Sequence, residues 1–295
     1  MLDVILVVDG PRIERSAYLS IAISSTLTSN KYRYVCAVPS DRELTLDWEA
    51  LGKTVSIEFV ELPPLNLRVC DKEYRIFNKV VAMRVAPFKS GVLVDSDTFF
   101  MTPPDHGFLL REKTAAAPEH NPLPHSESAK LWDRLYSEFG LEAPEMTIRH
   151  GSGLYGTPYF NAGVVASRNL PHFGDIWSDV CLKINSLDLD IKFPYLDQLS
   201  LPIAMAIESG DGKVSFENVL PNEFNYNLFH FQEVKQINEK AVIYHHHDRV
   251  SIIRGILYRR FEQVVRSHPE VGQFLPNLAE AEFAKYVRLL GPRKG

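Results

Sequence analysis

Cysteine is scarce in this sequence and long apolar runs are missing, which excludes two broad classes of protein. The three cysteines, Cys36, Cys70 and Cys181, lie far apart without paired spacing, so they fit reduced thiols better than a disulfide framework. No stretch approaches the roughly 20 apolar residues that a membrane span requires. The apolar segment 2–8 lacks a basic start and is too short for a secretion signal. We therefore expect a cytoplasmic protein without a transmembrane segment.

An excess of positive charge is also missing. The 32 lysines and arginines are outnumbered by 37 acidic residues, and the resulting net charge of -5 gives no electrostatic attraction to polyanions. Nucleic acid is therefore not an expected partner. A hydrophobic content of 45% is that of an ordinary globular protein, and 295 residues can bury a large core.

Strand and helix patterns alternate through the first hundred residues. We predict strands at 4–8, 34–38 and 55–60 and helices at 16–27, 42–51 and 78–85. This alternation is typical of a mostly parallel sheet covered by helices on both faces. The sequence thus predicts an α/β fold.

Two carboxylates follow a short apolar strand predicted at 91–94. Asp95 and Asp97 lie at its mouth with Ser96 between them. Acids set one residue apart can point the same way and hold a hard divalent cation, which is the usual partner of substrate phosphates. Acidic residues also commonly end strands, so this pattern alone leaves a purely structural explanation open.

Two further polar residues could contact a phosphorylated sugar. Lys79 opens the helix before that strand, sixteen residues ahead of Asp95. Its ammonium could meet a diphosphate beside the cation, although a surface lysine is the structural alternative. The Asn161 amide, in a strand predicted at 159–165, can both donate to and accept from a sugar hydroxyl. A plain turn into a core strand explains it equally well.

Polar residues also follow Pro194, where a helix is predicted to begin. Helix capping would explain Asp197, but it gives no reason for Gln198. Both residues are therefore candidates for contact with a substrate.

A run of histidines follows a strand predicted at 241–244. Because strand side chains alternate, His245 and His247 share one side while His246 points away. No second Cys/His cluster exists to complete a tetrahedral zinc site, so a histidine would have to join a distant carboxylate site. The Asp-x-Asp pair is the obvious candidate, and accidental surface histidines are the alternative.

We predict a helical C-terminal extension over residues 249–295. Residues 251–267 repeat apolar positions at helical spacing, with arginines between them. This pattern indicates a helix packed on the main domain with a solvated basic face. Peripheral contact with a membrane surface is the alternative.

Taken in order, these motifs resemble the GT-A glycosyltransferases, and among them most closely the retaining family 8, which includes glycogenin and the bacterial lipopolysaccharide galactosyltransferases. The resemblance spans about residues 4–248. It implies a Rossmann-like sheet in a nucleotide-sugar transferase domain at residues 1–248. It also implies transfer of a sugar, with retention, from a UDP-sugar to a hydroxyl acceptor. The acceptor, whether a glycan, a lipid-linked sugar or a small molecule, is left open.

The resemblance also implies roles for individual residues. Asp95, Asp97 and His245, with His247 as the second choice, would hold Mn²⁺ or Mg²⁺ against the diphosphate. Asp197 and Gln198 would border the anomeric carbon of the sugar. The remaining donor contacts implied are Val8 and Asp9 toward the nucleobase, together with Lys79, Asp95, Ser96 and Asn161.

One segment departs from the family pattern. The family usually follows its histidine with a glycine and a Lys-Pro-Trp segment that clamps the phosphates, whereas here Asp248 and Arg249 follow. Arg249 would supply the missing charge by substitution. Retention would then follow from a front-face displacement supported by Gln198 or Asp197, in preference to a covalent intermediate on Asp197.

Two other functions are compatible with parts of the pattern. A phosphatase of the haloacid dehalogenase type also carries an Asp-x-Asp after an apolar strand, but that motif normally opens the chain. A catalytically silent protein that binds a sugar nucleotide or a carbohydrate would keep the pocket and lose turnover.

Overall fold

Strands and helices alternate along this computed structural model, which describes residues 1–65, 67–123, 128–227, 240–247 and 260–274. In chain order the strands of these residues are β1 (Leu2–Val7), β2 (Tyr32–Pro39), β3 (Ser56–Leu62), β4 (Arg68–Val69), β5 (Lys72–Glu73), β6 (Gly91–Val94), β7 (Thr98–Phe100), β8 (Thr114–Pro118), β9 (Ile148–Arg149), β10 (Tyr155–Gly156), β11 (Phe160–Ser167), β12 (Tyr226–Asn227) and β13 (Ile243–His245). The helices are α1 (Pro11–Thr28), α2 (Trp48–Gly52), α3 (Asn78–Arg84), α4 (His106–Leu109), α5 (Ser128–Ser137), α6 (Leu170–Ser186), α7 (Lys192–Ser209) and α8 (Phe261–Ser267).

Six strands form the main sheet in the order β3-β2-β1-β6-β11-β8. The first four are mutually parallel, and β11 runs antiparallel to both of its neighbours. Side chains of β1 alternate between the two faces: Val4 and Leu6 pack on the side of α1, while Ile5 packs with α3, α6 and α7. The predicted α/β fold with a mostly parallel central sheet flanked by helices is therefore confirmed.

The helix predicted at 42–51 is wrong in its first half. The observed α2 begins only at Trp48, after Asp47 accepts a hydrogen bond from the Ala50 amide at 3.0 Å. The backbone amides of Thr45 and Leu46 instead donate to the carboxylate of Glu14 on α1, both at 2.8 Å. A buried carboxylate thus takes up the amides that would have continued a helix toward the N-terminus.

A second, three-stranded sheet joins distant parts of the chain. It has the order β12-β13-β7, with β13 parallel to β12 and antiparallel to β7. Since β7 follows β6 after only three residues, the small sheet continues directly from the carboxyl end of a central strand. This arrangement sets the position of the site described below.

The described part of the predicted C-terminal extension packs against α1. Val264 and Val271 are buried in the same cluster as the apolar side of α1. A buried contact of 3.1 Å joins Ser25 Oγ and His268 Nε2. The rest of the predicted amphipathic helix lies outside the described residues. Every helix of the described residues is too short or too polar to cross a bilayer.

Candidate active site

Asp95, Ser96 and Asp97 form the turn between β6 and β7. The Asp95 amide donates to the Gly163 carbonyl on β11 at 2.8 Å, and the Thr98 amide donates back to the Asp95 carbonyl at 3.0 Å. The Ser96 hydroxyl donates to the Val7 carbonyl at the end of β1. These contacts fix the turn to two central strands. They also use the hydroxyl hydrogen of Ser96 for a contact within the fold.

Strand pairing brings the histidines to this turn. His245 pairs with Thr98 in the antiparallel β13–β7 ladder, and the His246 amide donates to the Asp97 carbonyl at 2.9 Å. As a result, His245 Nε2 lies 3.1 Å from Asp97 Oδ1 and 3.8 Å from Asp95 Oδ2. The predicted convergence of the Asp-x-Asp pair and the histidine run is present in the structure.

Gly163 makes room for the His245 ring. A Cβ at this position would lie 2.8 Å from His245 Cε1 and 2.7 Å from Asn161 Oδ1, closer than real Cβ atoms approach other atoms. A side chain at position 163 would therefore displace the imidazole from Asp97.

Three side chains offer ligand atoms that converge. Those of Asp97, His245 and His247 lie within 4.8 Å of one another, and the two imidazole rings stack at 4.0 Å between centroids. His247 reaches this position with a positive φ of 49°, because the strand has already ended at His245. One carboxylate oxygen and two imidazole nitrogens are a donor set that suits a divalent transition metal. The residues present therefore fit a divalent cation.

Asp95 has a different immediate partner. Lys79 Nζ lies 2.7 Å from Asp95 Oδ1 and 3.3 Å from Asp197 Oδ2, so the lysine bridges two carboxylates. Lys79 thus reaches from the first turn of α3 to the end of the strand that carries Asp95. Asp95 lies at the edge of the converging ligand atoms and is held by this lysine.

The charges at this turn perturb one another. Burial raises the pKa of Asp95, and the neighbouring Asp97 adds to this effect against the opposing influence of Lys79. Burial would also raise the pKa of Asp97, but the adjacent His245 outweighs it and holds that pKa well below its usual range. Burial lowers the pKa of Lys79, and Asp95 and Asp197 more than reverse this, so the lysine stays charged. Perturbed carboxylates of this kind are typical of functional sites.

The two predicted catalytic residues lie on α7 and have distinct surroundings. The Tyr74 hydroxyl donates to Asp197 Oδ1 at 2.7 Å, while Lys79 occupies Asp197 Oδ2. The Tyr159 hydroxyl donates to Gln198 Oε1 at 2.5 Å. Within the described residues, the Gln198 amide nitrogen has no hydrogen-bond partner, and Gln198 lines the cavity. Gln198 is therefore able to donate to a bound substrate, while Asp197 is held by the protein.

The end of β1 is also tied to neighbouring charges. Asp9 accepts from Arg75 Nε at 2.7 Å, from Arg42 Nε at 3.0 Å and from Asn78 Nδ2 at 3.0 Å. Burial would raise the pKa of Asp9, but these partners, Arg75 first, hold it below its usual value. The Val8 side chain is buried in the core, and Val8, unlike Asp9, is not among the residues that line the cavity.

These residues surround one cavity of about 440 Å³, large enough for much of a nucleotide sugar. Its lining contains four carboxylates and two cationic side chains, which leaves a surplus of two negative charges when the histidines are neutral. The charged and metal-ligating residues of the lining are Asp9, Arg75, Lys79, Asp95, Asp97, Asp197, His245 and His247. Of the other predicted site residues, Ser96, Asn161 and Gln198 also line it, and Arg249 lies outside the described residues.

Several residues of the site were missed in the sequence. Arg75 precedes Lys79 by four positions, a spacing that could have indicated a shared face. Tyr74, Glu119 and Asn225 carry no comparable signal, because each acts through a partner far away along the chain. Asn225 contacts His245, and Glu119 contacts Asn161.

Comparison with known proteins gives a family for most of the chain. Residues 4–208 match the family model described as the Rhodobacterales glycosyltransferase domain. No curated protein sequence matches significantly.

Among solved structures, the galactosyltransferase LgtC in complex with donor and acceptor sugar analogues is 14% identical, over 96% of this chain and 100% of its own, with a TM-score of 0.48. The apo-form glycosyltransferase GlyE of Streptococcus pneumoniae TIGR4 is 14% identical, over 83% of this chain and 54% of its own, with a TM-score of 0.46. The bifunctional glycosyltransferase WbbM, in its apo structure, is 15% identical, over 83% of this chain and 45% of its own, with a TM-score of 0.46.

Proposed function

The chain belongs to the Rhodobacterales glycosyltransferase domain family, and from this membership we propose that it is a cation-dependent enzyme that transfers a sugar from a UDP-sugar to a hydroxyl acceptor with retention. The phosphatase alternative has no support from this family. The donor, the cation and the stereochemical outcome are the proposed parts, and each is argued below.

The charge of the cavity is the observation that carries the proposal. A diphosphate brings at least two negative charges into a lining that already has a surplus of two. Both cationic side chains are occupied, Lys79 by Asp95 and Asp197, and Arg75 by Asp9. A divalent cation on Asp97, His245 and His247 would reverse this imbalance. The cavity therefore favours a phosphorylated ligand that arrives together with a metal ion.

The mixed donor set favours Mn²⁺ over Mg²⁺. Mg²⁺ is bound in proteins mainly by carboxylates, phosphates and water, whereas imidazole suits transition metals. A bound cation would neutralise the diphosphate and stabilise the charge that develops on it as the leaving group. Asp95, with one oxygen on Lys79, would border this ion and the lysine together.

The surroundings of Asp197 favour the front-face route. Its two carboxylate oxygens are engaged by the Tyr74 hydroxyl and by Lys79, which lowers its availability as a nucleophile. Its negative charge still lies in the cavity wall, where it would stabilise positive charge on the sugar ring. Gln198 has an amide nitrogen that can donate to a sugar or acceptor oxygen. We assign electrostatic support to Asp197 and substrate positioning to Gln198.

A panel of nucleotide sugars tests this proposal. Thermal unfolding is measured with UDP-, GDP-, ADP- and CMP-sugars, each with Mn²⁺ and with EDTA. A ligand at a hundred times its dissociation constant adds about 2.7 kcal/mol of stability. We expect stabilisation by a UDP-sugar with Mn²⁺ only.

Release of UDP from the stabilising donor then distinguishes an enzyme from a silent binding protein. Slow hydrolysis without an acceptor is the expected result. Stabilisation that is equal in EDTA would contradict the metal proposal, and binding without any turnover would favour the silent alternative.

A further inference from the structure

A line of hydrogen bonds runs from Glu119, at the end of β8, to the inner side of His245. Asn161 Nδ2 donates to Glu119 Oε2 at 2.7 Å, and Asn225 Nδ2 donates to Asn161 Oδ1 at 2.7 Å. Asn225 Oδ1 lies 3.1 Å from His245 Nδ1. Asn161, Asn225 and His245 are all buried. Bulk water therefore does not compete for the two contacts of Asn225, with Asn161 and with His245.

The orientation of Asn161 is fixed by two partners of known character. The Gly163 backbone amide can only donate, and it faces Asn161 Oδ1 at 2.8 Å. The Glu119 carboxylate faces the other end, and it is itself held by the His120 amide at 2.6 Å. The end of the Asn161 side chain that faces Gly163 must therefore be its oxygen.

The same logic extends to the next side chain. Because the Asn161 oxygen accepts, the Asn225 atom that faces it must be the nitrogen. The Asn225 oxygen then faces His245 Nδ1, and this ring nitrogen must carry a hydrogen. The assignment of the proton thus follows from a backbone N–H group and does not rest on hydrogen positions.

With its hydrogen on Nδ1, the neutral ring of His245 has an unshared electron pair on its other nitrogen, Nε2. His245 Nε2 then faces Asp97 Oδ1 at 3.1 Å, and both atoms are acceptors. Two acceptors at this distance repel each other unless a cation lies between or beside them. The contact between Asp97 and His245 is therefore favourable only when a positive charge lies at Nε2.

We propose that Asn225 is a positioning residue that holds His245 in its Nδ1–H tautomer, with Asn161 and Glu119 as its anchors, so that Nε2 is available for the cation. This inference rests on the proposed function through the metal ion. It also revises the expectation for Asn161. Both acceptor positions of its oxygen and one amide hydrogen are already used, so a single N–H remains for a donor sugar.

Without Asn225 the opposite tautomer becomes favourable. A hydrogen on Nε2 can donate to the Asp97 carboxylate 3.1 Å away, whereas a hydrogen on Nδ1 would lose its only described acceptor. A cation would then have to displace this proton before binding. Loss of such an outer partner typically weakens metal binding about 10- to 100-fold.

The variant Asn225→Leu tests the proposal with two readouts. The ¹⁵N spectrum of the metal-free protein, at a pH that keeps the ring neutral, reports which nitrogen of His245 carries the hydrogen. Titration of Mn²⁺ followed by electron paramagnetic resonance gives the dissociation constant without any catalysis. We expect Nδ1–H in the wild type and Nε2–H in the variant, together with Mn²⁺ binding weakened about 10- to 100-fold.

Asn218→Leu is the matched control. Away from the cavity, the Asn218 side chain donates to the Thr114 carbonyl at 2.8 Å and accepts from Ser215, so its loss removes similar hydrogen bonds without touching His245. This variant should keep the wild-type tautomer and Mn²⁺ affinity. Asn225→Asp keeps an acceptor opposite Nδ1 but places its other oxygen against the accepting Asn161 Oδ1, so it should recover only part of the affinity.

Two results would overturn the proposal. One is a hydrogen on Nε2 of the wild-type protein, which needs no variant and stands even if Asn225→Leu fails to fold. The other is Mn²⁺ binding by Asn225→Leu as tight as that of the wild type. Absence of Mn²⁺ binding in the wild type with an Nδ1–H ring would instead refute the metal in the proposed function and leave the tautomer assignment intact.

Discussion

Glu14 is a buried acid and Asp97 a half-buried one, and the two have opposite surroundings. Glu14, on the first turn of α1, is 1% exposed and accepts four hydrogen bonds, all from neutral donors. Asp97 faces the imidazole of His245 and lies beside the like charge of Asp95. Both carboxylates are largely removed from water, and they differ most in the character of their partners.

This difference separates a structural acid from a functional one. Neutral amide, hydroxyl and indole donors satisfy the charge of Glu14 completely and organise the segment before α2 around it. The neighbours of Asp97 are themselves ionisable, so its negative charge is balanced only when a proton or a cation lies beside it. Perturbed acids among other ionisable groups in a cavity are candidates for chemistry, whereas acids enclosed by neutral donors are candidates for stability.

The largest expected effect comes from Asp97→Asn. Loss of the anionic ligand removes the cation and with it several kcal/mol of transition-state stabilisation, so transfer should fall about a thousandfold. Stability in EDTA should change little, because the attraction of Asp97 to a protonated His245 ring and its repulsion from Asp95 are lost together. Initial rates with the donor found in the nucleotide-sugar panel check the first point, and chemical denaturation checks the second.

Asp175→Asn is the control for this substitution. Asp175 pairs with Arg84 on the surface, where its side chain is 61% exposed, so the same chemical change should leave transfer unaffected. Full activity of Asp97→Asn would show that Asp97, like Glu14, serves the stability of the fold and not the chemistry.

A smaller effect, on stability alone, is expected for Glu14→Leu. The change leaves two backbone amides and the Trp48 indole without their buried acceptor, at a cost of about 3 kcal/mol in the free energy of unfolding. The rate per folded molecule should be unchanged, since Glu14 does not line the cavity. Urea unfolding and kinetics at a temperature where the variant is folded measure the two quantities. A specific loss of rate would remove the distinction between the two acids.

The smallest expected effect is the difference in the free energy of unfolding between the wild type and Glu14→Gln, which depends on pH. Burial opposes the charge of Glu14, but its hydrogen bonds, that of the Leu46 amide first, hold its pKa below the usual value. Its charge therefore stabilises the fold above about pH 4.3, and this contribution is lost as the pH falls. Glu14→Gln can keep the hydrogen bonds and should cost about 1 kcal/mol near neutral pH. The difference from the wild type should shrink on acidification, as measured by urea unfolding at several pH values, and a constant difference would contradict this assignment.

The sequence allowed most of the main sheet to be predicted. Apolar runs identified β1, β2 and β6 because central parallel strands are buried on both faces, whereas β3 is a largely exposed edge strand. The segment 42–47 was assigned to a helix because its pattern is local, whereas the acceptor that reshapes it, Glu14, lies some 30 residues earlier. Local periodicity does not report such long-range hydrogen bonds.

The candidate site was predictable to the extent that its groups sit at strand ends. Asp95, Asp97 and His245 follow apolar strands, and Lys79 opens a helix, so their convergence could be expected. Tyr74 and Asn225 could not be found in this way, since each is recognised only through its partner across the fold. The position of His247 depends on a left-handed backbone after β13 that strand alternation does not contain.

The pairing of β7 with β13 couples the register of the small sheet to the formation of the ion-binding group. The residues that would share one ion lie at one end of this antiparallel pair: His245 is the last paired residue of β13, His247 follows it, and Asp97 directly precedes β7. Slippage of β13 by a single residue would turn His245 away from Asp97 and present a different side chain. The small sheet therefore reaches its correct register and completes the ion-binding group in the same step. A bound ion would stabilise this register.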